Sequence, residues 1–207
     1  MSAVTVGAKA PSFRLPSAQG NELGPEDYRG RSNVILFFAK GMACGFCRQK
    51  MSQLSRGLPR FRALDTEILQ VSPTTLERGR FYAKNFPLPF PYLCDPEYRV
   101  YGAYGMTPRA HSLVWKAKVL VQAIRMPQAE NDFGPPKPTP RELGRLLNDD
   151  DLGLFVIDKQ GVIRYANAGP YTTYEGSRIV GGRQIPSNEE LIAELGRSPG
   201  GAAARPT

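Results

Sequence analysis

Residues 33–48 read Asn33-Val34-Ile35-Leu36-Phe37-Phe38-Ala39-Lys40-Gly41-Met42-Ala43-Cys44-Gly45-Phe46-Cys47-Arg48, and three structural signals follow one another within them. The run from Asn33 to Ala39 is almost continuously apolar, β-branched and aromatic, which suits a strand buried on both faces of a mostly parallel sheet. Lys40-Gly41-Met42 is a turn. From about Cys44 to Leu58 the apolar positions Cys47, Met51, Leu54 and Leu58 recur at the spacing of an amphipathic helix, which Pro59 is expected to close. The chain thus leaves a central strand, turns, and opens a helix on a cysteine.

Working outward, Glu67 to Ser72 reads as a second strand, Thr75 to Asn85 as a helix ended by Phe86-Pro87, and Glu97 to Tyr104 as a short helix stopped by Gly105. Strands and helices alternate, the pattern of a βαβ sheet. Upstream, the glycines and prolines between Met1 and Tyr28 allow only an irregular arm with a hairpin. Downstream, Leu154 to Asp158, Lys159-Gln160-Gly161 and Val162 to Tyr165 form a strand, tight turn and strand. Ser187 with Glu190 three residues later is a capping box that starts a C-terminal helix. Residues 107–150 break the rhythm with a helix from about Ala110 to Arg125 and the cluster Pro135, Pro136, Pro138 and Pro140. They form an insertion, either a peripheral helix with a stiff linker or a lid. A single domain over residues 1–196 and a disordered tail over 197–207 are expected.

The chain has 207 residues, a formal charge of +8 and three cysteines. Its basic residues are scattered, which argues for a solvated basic surface rather than a nucleic-acid site. No window approaches a membrane span and the first thirty residues lack a signal-peptide core, so a cytoplasmic protein without a membrane partner is expected. Three cysteines make no disulfide framework, and a close pair in a reducing compartment points to catalysis or metal binding.

Cysteine at the first turn of a helix meets free N–H groups and the positive end of the helix dipole, which stabilise a thiolate. A second cysteine three positions on can close a reversible disulfide with it. Cys44 and Cys47 are therefore the candidate catalytic pair, with Lys40 and Arg48 as nearby cations. A zinc site would need two further ligands, and Cys94 and His111 lie at no common zinc spacing, so no metal is expected. Cys94 reads as a small buried hydrophobe, His111 as a surface or helix-start residue, and Trp115 with Leu113, Val114, Val119 and Leu120 as the packing face of the inserted helix. Tyr165, Tyr171 and Tyr174 flank a Gly-rich loop and receive no role.

With those residues in place, the chain resembles the peroxiredoxin (alkyl hydroperoxide reductase and thiol-specific antioxidant) family, in its branch with Cys-x-x-Cys. The resemblance runs through Gly7-x-x-Ala10-Pro11-x-Phe13-x-Leu15, Tyr28-Arg29-Gly30, Val34 to Phe38, Cys44-Gly45-Phe46-Cys47-Arg48 and Leu54-Ser55. It continues through Val71-Ser72, Leu88-Pro89-Phe90-Pro91, Asp95-Pro96, Tyr104-Gly105 and Phe155-Val156-Ile157-Asp158-x-x-Gly161-x-Ile163-Arg164. It implies an α/β thioredoxin-like fold with a central mixed sheet flanked by helices. It also implies reduction of peroxides or disulfides through cysteine without metal or organic cofactor, and a thioredoxin- or glutathione-type reductant; a homodimer is left open. Cys47 falls where that family places its peroxide-attacking cysteine, whereas thioredoxin logic makes Cys44 the attacker. The family's arginine before the strand at Leu154, and the cis-proline of thioredoxins there, are replaced by Asp151-Leu152-Gly153; Arg48, Arg109 or Lys40 are candidates to supply the charge. A thioredoxin-type disulfide reductase and a non-catalytic binding module are the alternatives.

Overall fold

A computed structural model of the chain describes residues 4–106, 111–117, 121, 132–134, 136–147, 151–170, 172–175, 178–182 and 185–197. Its centre is a five-stranded mixed sheet. β3 (Asn33–Phe38) lies in the middle, parallel to β4 (Thr66–Ser72) on one side and antiparallel to β6 (Asp151–Ile157) on the other. β5 (Tyr92–Cys94) and β7 (Ile163–Pro170) form the edges, giving the order β5-β4-β3-β6-β7. The continuous apolar run predicted this placement: Val34 to Phe38 are all buried, alternating between two faces that are both covered.

On one face Ile35, Phe37, Ile68 and Tyr92 pack with α1 (Gly45–Arg62), α2 (Leu76–Asn85) and α5 (Asn188–Leu195). On the other, Val34, Leu36, Phe38 and Phe155 meet α3 (Arg99–Ala103) and the N-terminal arm. That arm carries the expected hairpin, β1 (Leu15–Pro16) with β2 (Glu22–Leu23). The β6–β7 turn has Gly161 at φ 76°, as its sequence requires, and Ser187 caps α5 with Glu190 completing the box.

Four local expectations change. Pro59 does not close α1, which runs to Arg62. Proline lacks an N–H but its fixed φ is helical, and its carbonyl still accepts the Ala63 N–H at 3.1 Å. The proline cluster is not only a linker: Thr139 caps α4 (Pro140–Leu146) with Glu142 at the third position and Pro140 at the first. Residues 172–182 include a two-stranded ribbon, β8 (Thr172–Glu175) with β9 (Arg178–Gly182), that the Gly-rich loop concealed. Of the inserted helix, residues 113–117 and 121 are described and helical, and Leu113 and Val114 are 81% and 67% exposed instead of packed. Arg109, Val119, Leu120, Tyr171 and the tail beyond Arg197 lie outside the described residues. Among the described residues no helix is long and apolar enough to cross a membrane.

Candidate functional site

The β3–α1 turn places both cysteines at the C-terminal end of the central strand, where loops of α/β sheets collect reactive groups. Its start is clamped: the Ala39 N–H donates to the Val71 carbonyl (2.9 Å), and the buried Tyr101 hydroxyl donates to the Ala39 and Val71 carbonyls (2.5 and 3.0 Å). Gly41 then adopts φ 104°, and a Cβ there would lie 3.3 Å from Thr74 Oγ1 and 3.6 Å from the Tyr92 hydroxyl. Those two hydroxyls share a hydrogen bond of 3.0 Å beneath the turn. Glycine is needed both for the left-handed backbone and for the close approach.

Cys44 is the N-cap of α1, with extended backbone, and its Sγ accepts the Cys47 N–H at 3.2 Å. The cysteine occupies the position at which Ser, Thr or Asp ordinarily satisfies a free helix donor. A sulfur held there is stabilised most as an anion. The Cys47 thiol donates to it, and together with the Cys47 N–H and the charges of Lys40 and Arg48 this lowers the Cys44 thiol to about 7 despite burial. Cys47 goes the other way: burial, then its bond to Cys44 and the Cys44 charge, push its thiol well up. The two sulfurs thus divide into a thiolate and a proton-holding partner. Cys44 is 7% exposed and Cys47 0%.

Arg48 is buried as well, with Nη1 donating to the Met42 carbonyl at 2.7 Å, so the helix holds the turn that precedes it. Its Nε has no hydrogen-bond partner among the described residues. Lys40 is half-buried and acts on both thiols through its charge. Cys94, at the end of β5, is buried with its thiol pushed up to about 11 by desolvation. It packs into the space left by Gly79, where a Cβ would stand 2.6 Å from its sulfur, which fits the reading of a small core residue. His111 stacks on Trp115 with ring centroids 3.6 Å apart, next to helical residues 113–117. Among the described residues no group of three or more His, Cys, Asp or Glu side chains converges.

At the start of β6, Leu152 is buried in the same apolar cluster as the two cysteines, and Met106 Sδ fills the place a Cβ on Gly153 would take. Among the described residues at this point there is no arginine. Sequence reasoning missed Thr74, Tyr92 and Tyr101, which support the turn: Thr74 follows β4, Tyr92 opens β5 and Tyr101 lies on α3, and nothing in their local sequence ties them to the turn. It also missed Phe133 and Glu142, although Thr139-Pro140-Arg141-Glu142 carried a readable helix-start signature.

Comparison with known proteins points to one family. The model of the AhpC/TSA family matches residues 6–125. A putative peroxiredoxin of Mycobacterium tuberculosis is 33% identical over 105 residues, covering 49% of this chain, which in turn spans 66% of that protein's length. Alkyl hydroperoxide reductase E of Mycobacterium bovis is 32% identical over 165 residues, covering 79% of this chain and 84% of its own. Thiol-disulfide oxidoreductase ResA of Geobacillus thermodenitrificans is 34% identical over 108 residues, covering 51% of this chain and 60% of its own. Among solved structures, peroxidoxin BcpB from Mycobacterium tuberculosis superposes with a TM-score of 0.60 over 94% of this chain and 99% of that one, at 14% identity, which shows the shared thioredoxin-like fold. The thiol at the head of α1, the mixed five-stranded sheet and these matches together place the chain in the AhpC/TSA family of peroxiredoxin-like proteins.

Proposed function

We propose that this protein is a thiol-dependent oxidoreductase that reduces peroxides, with Cys44 as the attacking thiolate and Cys47 as the resolving thiol. The observation that carries this is the N-cap sulfur: Cys44 accepts from Cys47 and is lowered to about 7, while Cys47 is raised. In the first step the Cys44 thiolate attacks a peroxide oxygen; an S–O bond forms, the O–O bond breaks, and the departing alkoxide or hydroxide takes a proton. The sulfenic acid left on Cys44 is attacked by the Cys47 sulfur, an S–S bond forms and water leaves. An external thiol of the thioredoxin or glutathione class then returns two electrons and regenerates the pair. Lys40 and Arg48 supply positive charge at the sulfur, a role the buried Leu152 cannot take.

The likeness to ResA and the buried Leu152 near the start of β6 favour a second reading, in which the same pair reduces disulfides. Here Cys44 attacks a substrate disulfide, and Cys47 releases the mixed disulfide. Two assays on wild type, Cys44→Ser and Cys47→Ser separate the readings: consumption of hydrogen peroxide with a thiol donor, and reduction of a protein disulfide. The first reading requires peroxide turnover that Cys44→Ser abolishes; peroxide inertness with intact disulfide reduction selects the second. Inertness in both assays leaves a binding module. We also take residues 1–196 as one domain acting in the cytoplasm, with self-association into a dimer.

A further inference from the structure

Among the described residues of the insertion, polar ties to the body of the protein form at two places. At the first, the Asp132 N–H donates to Ser52 Oγ at 2.8 Å and the Asp132 carboxylate pairs with Arg56 at 2.7 Å. Ser52 and Arg56 lie on α1, one and two turns beyond Arg48. At the second, the buried Glu142 accepts from Arg78 Nε and Nη2, both at 3.2 Å, from the Tyr82 hydroxyl, and from the Thr139 N–H and hydroxyl at 2.8 and 3.0 Å. Arg78 also donates to the Lys137 carbonyl at 2.7 Å, so the segment is held on α2 as well. Between these ties Phe133, only 3% exposed, enters the buried cluster that contains Cys44 and Cys47, and Leu146 packs against it.

The chain thus bridges α1 to α2 on the face of the sheet that holds the reactive sulfur. Its anchors are of unequal kind. Arg56 and Asp132 are exposed and contribute little, whereas Glu142 is a buried charge whose bonds to Arg78 and Tyr82 must be kept or broken together. Phe133 is an apolar wedge in the cluster to which Cys44, itself 7% exposed, also belongs.

We propose that Phe133 and Glu142 are specificity-determining residues: the segment formed by residues 132–134 and 136–147 covers Cys44, Phe133 as its wedge and Glu142 as its latch. Hydroperoxides, a few atoms across, reach the sulfur with the cover in place. Disulfides and other bulky oxidants reach it only when the cover is displaced, so their rates carry the small fraction of open protein as a factor. This rests on Cys44 being the attacking thiolate, and the test below keeps the two ideas apart.

Reduced protein is reacted with iodoacetamide, a small alkylating agent, and with 5,5′-dithiobis(2-nitrobenzoate), a bulky aromatic disulfide, and the Cys44 rate with each is taken from peptide mass spectra. The variants are Glu142→Gln, which keeps the shape and removes the charge, and Phe133→Ala. The expected result is a rise of roughly tenfold in the ratio of disulfide to iodoacetamide rates in either variant, as a weakened latch raises the open fraction. Arg60→Ala, which breaks a surface pair with Glu189 on the far part of α1, leaves the ratio as in wild type. An unchanged ratio in folded Glu142→Gln and Phe133→Ala overturns the cover; should Phe133→Ala not fold, Glu142→Gln decides alone. The pH profile of the iodoacetamide reaction reports separately on the thiol: a Cys44 midpoint near that of free cysteine sinks the functional reading whatever the ratio does.

Discussion

Replacing Cys47 with alanine and with serine distinguishes the hydrogen bond from every other influence on Cys44. The largest effect lowering Cys44 is donation by the Cys47 thiol; the Cys47 N–H, Lys40 and Arg48 add to it. Alanine removes the thiol donor and leaves the N–H and both cations, whereas serine restores an O–H at the same position. A hydrogen bond to a charged acceptor is worth about 1.5–3 kcal/mol, and each pKa unit about 1.4 kcal/mol, so alanine should raise Cys44 by about one to two units. From a start of about 7 the thiol then reaches the ordinary cysteine range, and its thiolate fraction at neutral pH falls from about one half to about one tenth or less. Because a more basic thiolate is also a better nucleophile, the rate at one pH understates the change. The measurement is therefore the midpoint of the pH dependence of Cys44 alkylation, free of interference since Cys94 is pushed up to about 11. Serine should keep the midpoint near the wild-type value. An alanine variant that titrates with the wild type would show that the helix terminus and the cations set the thiol and that the sulfur pair is not a coupled unit.

Other outcomes follow from the same geometry. Arg48→Met should raise the Cys44 midpoint by less than Cys47→Ala does, because the Arg48 charge has the smallest effect on Cys44 of the four groups, and it should also loosen the turn by removing the bond to the Met42 carbonyl; a larger shift than that of Cys47→Ala would reverse the order of causes. Gly41→Ala forces a side chain into a left-handed backbone against Thr74 and Tyr92, and urea unfolding should show a loss of about 1–3 kcal/mol; no loss would mean that the turn relaxes freely. Lys50, buried on α1 with Nζ donating to the Pro186 carbonyl and to Gln53, is lowered by desolvation from 10.5 to about 7. The unfolded chain then binds more protons between those values, so this group makes stability rise with pH across that window. Lys50→Met should flatten the rise, by up to about 4 kcal/mol between pH 6 and 10, and parallel urea profiles of variant and wild type would contradict the buried charge.

The sheet was readable because burial on both faces leaves a signature that needs no partner to interpret, as Asn33 to Phe38 and Leu154 to Ile157 show. The same holds for the placement of Cys44 and Cys47: their spacing at a helix start brings the two side by side, and Lys40 and Arg48 lie within four residues of one or the other. The missing parts depend on contacts made across long stretches of chain. Glu142 meets Arg78 across 64 residues, and Phe133 enters the core from a stretch whose composition reads as linker. Pro59 misled because proline's cost inside a helix falls on the preceding turn, which can still tolerate it near an end. Leu113 and Val114 misled because apolar spacing alone identifies a helix face without saying what covers it.

The most direct measurement is the identity of the oxidised cysteine in Cys47→Ser after one equivalent of hydrogen peroxide in the presence of dimedone, which captures sulfenic acid. The expectation is an adduct on Cys44 and, in wild type, a Cys44–Cys47 disulfide in its place. Dimedone found on Cys47 in a Cys44→Ser protein, with Cys44 unmodified in Cys47→Ser, would assign the attacking sulfur to the other end of the pair and contradict it.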